Sequence, residues 1–510
     1  YMQLEIVTPG STPMPLTRVS KLPLGLPPTP GEGEVWVGLQ TYNNPARPNG
    51  AVQVIDASSW ASQLIRNVGN NPHNGWLGTA LDQSNTLRNV AVWTNWHDVT
   101  ATVIDADTKT VLGDLAVGAA NAHVMTAPDA DGPDRWFVTV MGSNKVQELD
   151  PIRMLQLPEP DLPAISQSDG ESGRPAFSPH GLWFFDDGEH FVAANTLDGK
   201  VSLSSISEPW SGPQGRSGIG REVAQEETGG TAPLAASVFS VGDPNAMQYI
   251  AYANNAGTSD ISVFSANVAP GRKSLQRIAI PPPLGNAAGN LALKDFTTLP
   301  VRWAHMPIQG VVSPSDATAH GRYLVVCNKA SMNISVVALN DAGGPIGIYT
   351  FPAGLGAHGV SFGRKRGGSD GSIAYYAYVT NTFENYVSVY DLGLLDSLIR
   401  LERIGLSPPA FRPGGATEAV LLEGYAASVL LGKPKGYAPI TLFSPDARGL
   451  VHVGDVPLKR SPVPSPRAYL KEHVYVDLPG VGPTMLDLDL KVDTGAMGTV
   501  CRPVAPPRGK

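Results

Sequence analysis

The sequence predicts an all-β propeller built of four-stranded blades, and three observations carry that expectation. Short alternating runs rich in Val, Tyr and Phe recur along most of the chain. Clusters of Gly, Asp, Asn and Ser separate them. The two terminal segments are complementary fragments of one repeat.

One stretch defines the unit: Ala357–Phe362, a Gly-rich turn, Ala374–Asn381, and then Tyr386–Asp391. Period-two alternation of β-branched and aromatic residues reads as strand, and the intervening residues supply the backbone angles that tight reversals need. The unit recurs with its entry at His73, followed by Val90–Asn95 and Ala101–Asp105. It returns at His123 with Trp136–Val140 and Val146–Asp150, and at His180 with Phe191–Asn195 and Val201–Leu203. Ala235 opens a unit with Tyr249–Asn254 and Ile261–Phe264, and Gln309 another with Tyr323–Asn328 and Ile334–Val337. His358 opens the template itself, and Glu418 a degenerate further unit.

The N-terminal runs Val35–Leu39, Ala51–Asp56 and Leu64–Gly69 match the last three strands of a unit, and Glu472–Asp477 matches the missing first strand. Pairing the chain's two ends would close the ring and leave no exposed edge. The count is then eight blades, or seven if a degenerate unit is not a blade. The expected organisation is a Pro-rich arm over 1–33, a propeller domain over 34–480, and a C-terminal strand and tail over 481–510.

Composition agrees. Of 510 residues, 55 are Gly and 46 are Pro, yet 42% are hydrophobic, so the chain is rich in turns without being disordered. The net charge is −8 and the basic residues are scattered. Their one dense cluster, at 364–366, sits in a Gly/Ser-rich turn and reads as a solvated loop, so no nucleic-acid partner is expected. Cys327 and Cys501 form no CxxC or CxxCH, which excludes c-type haem attachment and thiolate zinc sites and leaves their pairing open. No apolar run is long enough to span a membrane. No signal peptide is visible, and Pro9–Pro30 reads as the arm of a processed, secreted chain.

The entries of the first strands should converge on the mouth of the central channel. They are His73, His123, His180, Ala235, Gln309, His358, Glu418 and His473, and five of these eight are histidine although the whole chain has only 10. His97 and His305 lie within reach of the same mouth, and Trp76, Trp96, Trp183 and Trp303 would wall it. His190, His320 and His452 fall elsewhere in the repeat. Converging imidazoles suit a transition metal, and an all-imidazole set without thiolate favours copper among redox metals. Glu418 would be an oxygen ligand or acid/base, and Gln309 a hydrogen-bonding group for substrate. The competing structural reading is that histidine at such an entry packs against, or hydrogen-bonds to, the next blade. The chain lacks GxSxG, HExxH and P-loop motifs, and Asp487–Asp493 is not spaced as a calcium loop.

These units resemble the YVTN-type propeller repeat, with Tyr378-Val379-Thr380-Asn381 and the Pro179-His180-Gly181 entry as the carrying motifs. With histidines at this mouth the chain is similar to nitrous-oxide reductase, thiocyanate dehydrogenase and the haem d1 proteins of nitrite reduction. That resemblance implies His73, His123, His180, His358 and His473 as ligands of a copper cluster, or a non-covalent haem d1 in the same place. Departures are the lack of a His-His pair and of a second copper domain, and the residues at 235, 309 and 418.

The functional expectation is a periplasmic or extracellular copper oxidoreductase acting on a small inorganic nitrogen or sulfur compound, with a separate electron-transfer protein as partner. The alternatives are a non-catalytic propeller subunit or scaffold that binds a protein, as a homo-oligomer or in a larger complex, and a haem d1 binder or lactonase-like hydrolase.

Overall fold

A computed structural model describes residues 25–396, apart from several loop segments, together with 451–457 and, as backbone, the strands at 5–6, 14–15, 467–478, 482–493 and 500–503. The architecture is a seven-bladed β-propeller of antiparallel sheets. Blade 1 has three described strands, Glu34–Leu39, Gly50–Asp56 and Ser62–Val68. Six blades of four main strands follow, with innermost strands Pro72–Leu81, Asn121–Ala127, Pro179–Phe184, Pro233–Ser240, Pro307–Val312 and Ala357–Arg364. The core lies between blades, as in the cluster that joins Val35 and Val37 of blade 1 to Tyr376, Tyr378 and Val389 of blade 7.

The count is therefore seven, the alternative to eight. Blade 7 explains the difference: its outermost strand is His452–Pro457, which pairs with Tyr386–Asp391 across a long stretch of sequence. A strand so far from its sheet partners is not recognisable by local spacing. The degenerate unit at Glu418, and Glu418 itself, lie outside the described residues. Strand Arg467–Leu478 pairs with Gly482–Asp493 as a hairpin. Among the described residues no pairing joins it to Glu34–Leu39, so closure by the C-terminal strand is not seen there. A partner only a few residues further along the chain costs less loop entropy than one some 430 residues away.

A polar tie repeats at the end of the second strand in five of the blades. The side-chain amides of Asn95, Asn195, Asn255, Asn328 and Asn381 each donate to a hydroxyl seven residues on, at Thr102, Ser202, Ser262, Ser335 and Ser388. This bond fixes the turn between second and third strands, and therefore the loop that follows each asparagine. All these groups are fully or almost fully buried. Loss of the amide should therefore cost more than a surface hydrogen bond. In blade 5 the Asn255 amide also donates to the buried Asp260 carboxylate at 2.7 Å. Asn255→Ala is expected to destabilise the protein by about 2 kcal/mol, measured by urea denaturation.

Candidate functional site

Each innermost strand begins with a β-bulge. In blade 2 Pro72 faces Asn95 and Gly75 faces Trp93, so two residues, His73 and Asn74, oppose Thr94 alone. The same irregularity holds His180 in blade 4 and His358 in blade 7. A bulge turns a side chain away from the regular pleat, here toward the channel.

Threonine hydroxyls clamp these bulges. Thr139 Oγ1 accepts from the His123 amide at 2.9 Å and donates to the His180 carbonyl of the next blade at 2.6 Å. Thr94 accepts from the Asn74 amide at 3.1 Å and donates to the Ala122 carbonyl at 2.6 Å. One side chain thus holds two neighbouring bulges in register. Gly181 serves the same closeness, since a Cβ there would lie 2.7 Å from Ala235 Cα.

These bonds also refine the sequence register. Ala122, Leu234 and Ile308, not His123, Ala235 and Gln309, occupy the position of His73. The latter three sit one residue further on, at the place of Asn74. His123 nonetheless reaches the cluster.

Four imidazoles meet. The His73 ring centroid lies 5.7 Å from that of His123, 5.4 Å from His180 and 5.6 Å from His358, and the His123 and His180 rings are 4.9 Å apart. One ring nitrogen each of His73, His123 and His180 falls within 4.8 Å of the others. His180 Nδ1 donates to the Leu234 carbonyl at 2.7 Å, which leaves Nε2 with its lone pair. The Gln40 side-chain amide donates to His73 Nδ1 at 2.9 Å, so the neutral ring carries its proton on Nε2, which is buried without an acceptor. Burial lowers the pKa of all four imidazoles, to about 4 for His180, and proximity among the rings adds to this at His73, His123 and His358. All four are therefore neutral at pH 7.

Beside them lies a cavity of about 490 Å³, lined by His73, His123, His358, Gln309, Trp183 and the edge of Val35–Gln40, among others. Trp76 packs edge-on to Trp183, and Trp96 lies 5.0 Å from His73. Trp303, expected here, is 51% exposed beneath Lys294. His97 and His305 are exposed loop residues and do not join the cluster. His473 lies in the C-terminal hairpin, and its side chain is outside the described residues, as is His320. His190 pairs with Asp187 at 2.7 Å at the other end of its strand, and His452 with Asp455 at 2.6 Å. Cys327 is buried and its thiol pKa is pushed up, so it offers no thiolate.

Sequence reasoning missed Gln40 and Lys329. Both occupy the residue that follows the second strand, the position of Trp96 after Asn95. Lys329 is largely buried there, which lowers its pKa, and its charge in turn disfavours protonation of His73, His180 and His358.

The chain is thus a seven-bladed propeller with a histidine cluster at one mouth of its channel. No family model and no curated protein matches it. Among solved structures it is similar to hydrazine synthase of Kuenenia stuttgartiensis, with 16% identity over 67% of this chain and 89% of that one and a TM-score of 0.42. The periplasmic gluconolactonase PpgL of Pseudomonas aeruginosa gives 16%, 69% and 93%, and 0.41. The dihydro-haem d1 dehydrogenase NirN gives 12%, 72% and 64%, and 0.39. Likenesses at this level carry no argument about what this chain does.

The low imidazole pKa values have a sign. Between the unfolded value of 6.5 and about 4, the unfolded chain binds a proton at His180 that the folded one refuses. Stability is therefore complete above the upper limit and falls as pH drops through the window, by roughly 3 kcal/mol for this group. Denaturation of the metal-free protein across that range should show this slope, and His180→Gln should flatten it by about one proton.

Proposed function

We propose that this propeller holds one transition-metal ion on His73, His123 and His180 and acts as a periplasmic or extracellular oxidoreductase on a small inorganic nitrogen or sulfur compound. The observation that carries the reading is the approach of three ring nitrogens to within 4.8 Å, from three separate rigid strands. The donor set fits such an ion: its rings are neutral, His180 keeps its lone pair on Nε2, and a half-turn of the Gln40 amide, presenting its oxygen to Nδ1–H, would free the buried His73 Nε2 for a metal. An imidazole-only set with no thiolate favours copper over the harder cations. Copper would supply one-electron chemistry, and a fourth coordination position would stay open for substrate.

The chain's own residues do the rest. The Leu234 carbonyl orients His180, and Gln40 orients His73. Gln309, whose Oε1 accepts from the Val360 amide, lines the cavity as a group to position substrate. His358 is the neighbouring imidazole for proton exchange or a further ligand. Glu418 and His473 remain candidates for an acid/base and a ligand. Trp76 and Trp183 narrow the space and exclude water. Electrons would pass to a separate carrier protein. A lactonase-like hydrolase would want carboxylates at this mouth, and none lines the cavity among the described residues.

Metal content after reconstitution tests the reading. The wild type should retain about one copper per chain with nitrogen hyperfine structure in its EPR spectrum. Each of His73→Ala, His123→Ala and His180→Ala should weaken retention roughly 100-fold. Zinc retained in place of copper would overturn the redox assignment, and no retained metal would overturn the site.

A further inference from the structure

We infer that Asn74 and Gln309 form a recognition subsite for a terminal oxygen, one step deeper in the channel than the histidine rings. The ligand class is a small nitrogen or sulfur compound that carries such an oxygen. That it is also the substrate rests on the reading of the rings as a metal centre.

The same bond holds the two amides in different blades. Asn74 Oδ1 accepts from the Val124 amide of blade 3 at 3.0 Å, and Gln309 Oε1 accepts from the Val360 amide of blade 7 at 3.2 Å. In each case the donor is the residue directly after the bulge of the next blade. A backbone N–H can only donate, so the atom facing it is the side-chain oxygen, and the orientation of each amide is fixed. The NH2 group of each is left over. Neither has a hydrogen-bond partner among the described residues. Both side chains are half-buried and line the cavity, so their N–H donors stay within reach of a ligand.

The amides also share one place. The second bulge residues of six blades are Asn74, His123, Gly181, Ala235, Gln309 and Gly359, and only the first, second and fifth have polar side chains. Those three border a void of about 20 Å³. It lies deeper than the cluster, for Met125 and Leu182, further along their strands, border it, whereas His73, His180 and His358 do not. Trp76 and Trp183, packed edge-on, form part of its wall. A void of this size admits one water-sized group.

Two amides with their oxygens already spent select what enters. An end group with lone pairs and no hydrogen, such as the oxygen of a nitrogen or sulfur oxide, satisfies both. An ammonia or hydrazine end would set N–H against N–H and leave donors unpaired. Asn74, His123 and Gln309 border both the void and the main cavity, so a molecule seated by its oxygen keeps its other end toward the rings.

The test is nitrite binding, followed by titration calorimetry in metal-free and in copper-loaded protein. Two kinds of variant separate the causes. Asn74→Asp and Gln309→Glu keep the oxygen that the neighbouring strand uses, but exchange the donors for an acceptor and add charge. Asn74→Leu and Gln309→Met remove the donors without adding charge. Each of the four should weaken nitrite roughly 10-fold, with circular dichroism confirming the fold. Equal affinity in the wild type and all four overturns the subsite. So does a loss confined to the Asp and Glu variants, which is charge repulsion alone, and so does a wild type that binds no nitrite in either form. Failure to load copper overturns the metal centre only, and the metal-free titration then decides the subsite. A crystal structure with nitrite should place an oxygen within hydrogen-bond distance of both Asn74 Nδ2 and Gln309 Nε2, and nitrite bound elsewhere overturns the assignment.

Discussion

The site depends on one small device: a threonine hydroxyl shared between the bulged starts of two adjacent inner strands. Without it each bulge would have an unmet amide or carbonyl in a buried place, and the imidazole it carries would lose its heading. Thr139 accepts from His123 and donates to His180, so two of the three converging side chains hang from one oxygen. Thr94 continues the arrangement from blade 2 to blade 3. Rigid placement of this kind lets side chains remote in sequence meet within a few ångströms.

Burial then sets their chemistry. A lone exposed imidazole is half protonated near neutrality, whereas these rings are held neutral by desolvation and by one another. The absence of carboxylates from the described lining makes the mouth differ from a calcium or magnesium site, which would be built of oxygen donors. Neutral nitrogen donors beside a cationic side chain set the electrostatic character of the place.

Much of this was legible in the sequence because the repeat writes geometry in local terms. Alternation gave the strands, and clusters of Gly, Asp, Asn and Ser gave the turns. His73, His180 and His358 sit in one register of that repeat. His123 sits a residue later, because a bulge presents two side chains where the spacing rule counts one. Eight blades were favoured over the seven that the structure has because His452–Pro457 joins a sheet whose other strands end near Asp391. No periodicity signals a partner that distant. Gln40 and Lys329 were missed for a different reason: they are ordinary polar residues in loops, and only their common position after the second strand relates them to Trp96. Conversely His97, His305 and Trp303 had the right residue type near the right loops but face outward. Reach from a loop depends on its turn, which spacing does not encode.

His73, His123 and His180 come from consecutive blades, all within the first two-fifths of the chain, whereas Lys329 and His358 come from blades 6 and 7. Three rings therefore share one arc, and the fourth joins them from the blade that closes the circle. Blade 7 packs against blade 1 through Tyr376, Tyr378 and Val389, so the enclosure that keeps these imidazoles uncharged is finished only when the last blade meets the first.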